Sequence, residues 1–141
     1  HIVKPNGFII PKDATSVHGI STERAMKEGR DLKDVLIAFT EIVKDTKVIV
    51  GHNISFDINI AGAELLRTGI NCLVQNKNSI CTMKSTVNFC ALPGKYGYKW
   101  ATLEELHLKL FGKSFSNAHS AMSDIKATKD CFFELKSRKL I

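Results

Sequence analysis

Apolar residues recur at steps of three and four in three stretches of this chain, and each stretch predicts an amphipathic helix. The first follows Asp31, a good N-cap, and shows Leu32, Val35, Leu36, Phe39, Ile42 and Val43 on one face. The second follows Thr102, has Glu105 at the capping-box position, carries Leu103, Leu106, Leu110 and Phe111, and ends at Gly112. The third begins near Ser120, with Ala121, Asp124, Ala127, Thr128, Cys131, Phe132 and Leu135 in its stripe. A further helix is expected from about Phe56 to Arg67, with Gly69 as its C-cap. Lys84 to Cys90 reads as helical until Leu92-Pro93-Gly94 breaks it. Lys47-Val48-Ile49-Val50-Gly51 is a short apolar run expected as a buried strand, and Ser79 to Thr82 suggests another. Towards the N-terminus, His1 to Pro5 reads as a strand end entering a turn. Phe8 to Pro11 reads as extended, and Ala14 to Ile20 as a loop with a tight backbone at Gly19. Strands alternating with helices indicate an α/β layered domain, and 141 residues suit one domain with one core, spanning 1–141.

Composition narrows the class without naming it. Hydrophobic residues make up 44% and charged residues 24%, ordinary for a globular chain. No apolar run approaches the roughly 20 residues that cross a bilayer, so no membrane is expected. The net charge of +6 favours a polyanionic partner such as nucleic acid. The lysines are scattered, densest in the last helix, where a solvated polar face is the simpler reading. Cys72, Cys81, Cys90 and Cys131 contain no Cys-x-x-Cys pair, so a structural zinc site is not expected. Free thiols, Cys131 on a core stripe, fit a reducing cytoplasm. The chain starts at His1, not Met, and shows no signal peptide, which suggests a fragment that lacks N-terminal sequence.

Two short constellations carry candidate chemistry. Ala118-His119-Ser120-Ala121-Met122-Ser123-Asp124 places an aspartate inside an apolar stripe, with a histidine one turn upstream. A carboxylate facing a core needs a cation or hydrogen-bond donors. The alternative is a surface aspartate at the stripe's edge. Val50-Gly51-His52-Asn53-Ile54-Ser55-Phe56-Asp57 sits where a strand ends and a helix begins, a usual place for ligands in α/β sheets. Asn53 could cap that helix, and Asp57 could simply oppose its dipole. Two such first-turn aspartates, brought together, would hold a divalent cation through hard oxygen ligands.

Gly51-His52-Asn53-x-x-Phe56-Asp57 followed by His119-x-Ala121-x-x-Asp124 resembles the second and third motifs of the DnaQ-like (DEDDh) 3′–5′ exonucleases, in the RNase H-like superfamily. Val17-His18-Gly19-Ile20 is similar to the family's loop before the second motif. Lys99 to Leu106 is similar to the segment entering the helix before the third. The resemblance covers almost the whole chain. The family's first motif, Asp-x-Glu, occurs nowhere in these 141 residues. The family places it upstream, so the resemblance implies an N-terminally truncated domain that lacks its first strand or strands and is itself expected to be inactive. That loss would leave exposed sheet edges, which a homodimer could cover.

The resemblance implies an RNase H-like three-layer α/β/α fold and a hydrolase that removes nucleotides from nucleic-acid 3′ ends, DNA more than RNA. It allows the proofreading, epsilon-like subunit of a DNA polymerase, with that polymerase as partner. Two divalent ions, Mg²⁺ or Mn²⁺, would be held by four carboxylates, of which Asp57 and Asp124 are present here. His119 would be the general base. His18, Gly19, Ile20, Asn53 and Phe56 would bind the terminal nucleotide, and His52 would have a structural hydrogen-bonding role. The loop Pro93-Gly94-Lys95-Tyr96-Gly97-Tyr98-Lys99-Trp100 interleaves aromatics with lysines and could touch nucleic acid, although packing onto the core is the reading adopted for it. A non-catalytic nucleic-acid- or polymerase-binding module with the same fold is the alternative function. A phosphatase-like enzyme built on the same acids is a third.

Overall fold

A computed structural model describes residues 1–72, 74–115 and 120–141. The chain forms two compact units: His1–Thr46 with Asn59–Asn76, and Lys47–Ile58 with Lys77–Ile141. Among the described residues, no helix is long and apolar enough to cross a membrane.

The first unit is built on helices α1 (Lys12–His18), α2 (Thr22–Glu28) and α3 (Leu32–Asp45), the C-terminal part of α4 (Ile54–Thr68), and a 3-10 turn at Val74–Asn76. Helix α1 replaces the loop expected at 14–20. Pro11 precedes it, and Gly19, at φ 71°, closes it with an N–H bond to the Thr15 carbonyl. None of its residues is buried, so no apolar period could announce it. Ser21 caps α2 by accepting the Arg24 N–H, and only Ala25 of that helix is buried. Asp31 caps α3 as expected, and Leu36 and Val43 face inward. Ile42, expected on that face, is 70% exposed. A single parallel bridge joins Val3 to Arg30.

The second unit carries the only parallel pair of strands among the described residues. In it β1 (Val48–Gly51) runs beside β2 (Asn78–Cys81), with Val48 opposite Asn78 and Gly51 opposite Cys81. The run expected as buried is only partly so, since Val48 lies exposed and β1 is paired along one edge. The helix expected at 84–90 is two single turns, α5 (Thr82–Ser85) and α6 (Val87–Cys90). Thr86 breaks it at φ −110° and ψ 11°, and its buried hydroxyl donates to the Thr82 carbonyl at 2.6 Å. Next come a two-stranded antiparallel ribbon, β3 (Pro93–Gly94) and β4 (Gly97–Tyr98), then α7 (Leu103–Phe111) and α8 (Ala121–Ser137).

Helix α7 has the full capping box, with Thr102 accepting the Glu105 N–H and Glu105 accepting the Thr102 N–H. Gly112 ends it at φ 70°. Cys90, Ala101, Leu106, Leu110, Cys131 and Leu135 form the core between α6, α7 and α8. Within the expected α8 stripe, Ala127, Cys131 and Leu135 are buried, while Ala121 at its start is exposed. Burial pushes the Cys131 thiol up to about 12, so it is an inert packing group. The Pro93–Trp100 loop does not pack onto this core: all eight of its residues are exposed.

Candidate active site

The site starts from a tight turn at the end of β1. A Cβ on Gly51 would meet the Ile54 side chain at 2.6 Å, so the strand can enter α4 this closely only through glycine. Asn53 takes a left-handed backbone at φ 68°, which asparagine tolerates better than most residues. This is not the extended backbone of an ordinary N-cap, and its carbonyl accepts the Phe56 N–H at 2.9 Å. His52 is held at both ring nitrogens. Its Nε2 lies 2.9 Å from the Ala101 carbonyl oxygen, which only accepts, so Nε2 carries the hydrogen. Its Nδ1 lies 3.0 Å from the Thr82 hydroxyl. Burial lowers the His52 pKa and so favours the neutral ring, against the bond to Ala101, which raises it. His52 thereby ties the end of β1 to α5 and to the residue just before the α7 cap.

Asp57 lies in the first turn of α4 and Asp124 in the first turn of α8. Both line one cavity of about 830 Å³, together with His52, Glu104, Lys129 and Phe132. As a residue Asp57 is exposed, yet protein atoms crowd its carboxyl group. Burial raises its pKa, partly offset by a backbone N–H bond. Asp124 is half-buried, and its N–H donates to the Ser120 carbonyl at 2.9 Å. Of the other expected site residues, Asn53 and Phe56 do not line the cavity, and Phe56 is 62% exposed. His18, Gly19 and Ile20 belong to the first unit. There they close a turn in which His18 Nδ1 accepts the Ile20 N–H at 3.1 Å and the Thr15 hydroxyl donates to the Ile20 carbonyl. His119 lies outside the described residues.

A family model described as "Exonuclease" (RNase_T) matches residues 1–132. The chain belongs to this exonuclease family. It is 30% identical over 131 residues to a DNA polymerase III PolC-type of Pediococcus pentosaceus, covering 92% of this chain and 8% of the relative. It is 26% identical over 132 residues to the uncharacterized exonuclease CP81 of Escherichia phage 186, covering 90% of this chain and 66% of the relative. The crystal structure of E. coli Exonuclease I in complex with a dA16 oligonucleotide superposes with a TM-score of 0.78 at 21% identity, over 98% of this chain and 33% of that one. The fold is therefore the RNase H-like fold of the DnaQ-like exonucleases. The chain spans less than two thirds of the length of each of these proteins.

Asp57 and Asp124 both line this cavity, and carboxylate oxygens are the hard donors that a cation such as Mg²⁺ takes. Among the described residues, no group of three or more His, Cys, Asp and Glu side chains is arranged to hold a metal. Sequence reasoning did not single out Glu104 and Lys129 as cavity residues. The available signals were positional: Glu104 is in the first turn of α7, and Lys129 stands five positions after Asp124 on α8.

Proposed function

We propose that the protein is a metal-dependent 3′–5′ exonuclease that hydrolyses the terminal phosphodiester of a nucleic acid, DNA more readily than RNA. The observation that carries this reading is that Asp57 and Asp124, far apart in sequence, line the same cavity in a chain that belongs to an exonuclease family. The raised pKa of Asp57 supports it too, because a crowded carboxylate gains most when a cation neutralises it. Bound divalent ions supply the positive charge that activates water near neutral pH and offsets charge on the leaving 3′ oxygen.

Asp57 and Asp124 hold that charge. The imidazole of His119 accepts the proton of the attacking water. Asn53 and Phe56 contact the terminal nucleotide, and the likeness of Val17-His18-Gly19-Ile20 to the family's loop supports a nucleotide-binding role for His18, Gly19 and Ile20 as well. We further propose that residues 1–141 act as one exonuclease domain, since the family match runs through both units. The PolC-type relative supports a proofreading role beside a DNA polymerase. Two divalent ions would need the acids of an Asp-x-Glu motif in addition to these two aspartates.

The test is a gel assay of the complete gene product beside the 141-residue chain. A 5′-labelled single-stranded oligonucleotide is incubated with Mg²⁺, with and without chelator. The expected result is a ladder shortening from the 3′ end that chelator abolishes and that Asp124→Asn and His119→Ala both suppress. No cleavage of DNA or RNA by the complete product overturns the catalytic reading in favour of a binding module. Cleavage of small phosphodiesters without shortening of the oligonucleotide overturns it in favour of a phosphatase-like enzyme.

A further inference from the structure

The ribbon of β3 and β4 is an outgrowth of aromatic and basic side chains. Tyr96 is 91% exposed and Trp100 60% exposed, and Tyr98 is exposed between them. Three exposed aromatics grouped on one short ribbon form a patch, and grouped exposed aromatics mark a surface for a partner. The segment Pro93–Trp100 contains two lysines and no acid. Lys95 Nζ sits 5.1 Å from the Tyr96 ring centroid, and Lys99 pairs with Glu105 at its root.

The ribbon is firmly built. A Cβ on Gly94 would lie 3.0 Å from both the Gly97 carbonyl oxygen and the Lys99 nitrogen, so the close approach of the strands favours glycine at 94, while Gly97 supplies the positive φ of 125° that the turn takes. The Lys99 N–H donates to the Leu92 carbonyl at 2.9 Å, and Leu92 packs on the core below. Ala101, next after Trp100, is buried, and its carbonyl is the one held by His52. Thr102, the following residue, lines the cavity of Asp57 and Asp124. The ribbon therefore projects from the wall of the candidate active site.

We infer that this ribbon binds single-stranded nucleic acid, the strand upstream of the end held in the cavity, by stacking bases on Tyr96, Tyr98 and Trp100 while Lys95 attracts its phosphates. The inference rests on the proposed exonuclease reading for the direction of the strand. Alternating aromatic and basic side chains suit a flexible polyanion with an aromatic face at every unit. Exposed aromatics also serve protein interfaces; the net charge of +6 and the exonuclease-family match favour nucleic acid as the occupant.

Trp100 is the single tryptophan of the chain, so its fluorescence reports this surface alone. The experiment titrates the 141-residue chain, in chelator, with a thymidine oligonucleotide of about 12 nucleotides, a length within single-strand site sizes. Trp100 emission and the anisotropy of the labelled oligonucleotide are followed together. Saturable quenching that tracks the anisotropy is expected. Tyr96→Ala, at the most exposed position, should weaken binding by about fivefold to a hundredfold, the range of one lost stacking contact. Trp100→Phe should lose less than Trp100→Ala. Binding without a change in Trp100 emission, equal affinity in Tyr96→Ala, or no binding at all overturns the inference. Failure of the exonuclease reading is separate: it is an inactive complete product whose ribbon still binds the oligonucleotide.

Discussion

Crowding raises the pKa of Asp57 above its ordinary value of 3.8, so the unfolded chain ionises this group at a lower pH than the folded one. The stability it confers is fully present below the unfolded pKa and is lost as pH rises through the folded value. At neutral pH its charge therefore costs some stability, a small amount because the residue is exposed to solvent. Asp57→Asn should leave the chain as stable or more stable at pH 7, should flatten the decline in stability above pH 4, and should abolish hydrolysis by the complete product. Urea melts at two pH values and the gel assay check this, and a loss of stability at pH 7 would assign Asp57 to capping. His52 acts with the opposite sign. Its pKa is lowered from 6.5 by burial, so its contribution is present above 6.5 and lost as pH falls through the folded value. The first-turn positions of Asp57 and Asp124 were legible in the sequence. The tie from His52 to Ala101 spans 49 residues of sequence, and no local pattern encodes it.

Asp57 and Asp124 stand on α4 and α8, and the registers of α7 and α8 were readable for a physical reason. Each buries a face, so selection for a core imposes a period of three and four. Leu106 and Leu135 are wholly buried between them. Leu106→Ala should cost about 2–5 kcal/mol, and Thr102→Ala, which opens the capping box, about 1 kcal/mol. Denaturant midpoints measure both, and a Leu106→Ala loss below 1 kcal/mol would place the core elsewhere. The expectations that failed concern elements without such a face. Helix α1 buries nothing, and its boundaries come from Pro11 and Gly19 alone. The break between α5 and α6 is a backbone departure at Thr86, at φ −110° and ψ 11°, which no apolar period marks. Ile42 shows the converse: an apolar residue at a correct spacing that lies just past the edge of the buried stripe.

For the molecule as a whole, metal binding and folding are linked, because an ion that binds the folded chain and not the unfolded one stabilises it by RT ln(1 + [L]/Kd). Trp100 lies in the same unit as Asp57 and Asp124, so its emission follows the melting of the unit that would hold the ion. At about ten times Kd the stabilisation is about 1.4 kcal/mol, and a chain of this size gains about 2–4 °C for each kcal/mol. Mg²⁺ should therefore raise the Trp100 transition by about 3–6 °C, and chelator should reverse the rise. Asp57→Asn and Asp124→Asn should each remove most of it, because either substitution leaves one carboxylate to hold a strongly hydrated ion. An equal rise in wild type and both variants would mean that Mg²⁺ acts elsewhere on the surface. The shift needs no turnover, so it tests the two aspartates as ligands even where the 141-residue chain by itself cleaves nothing.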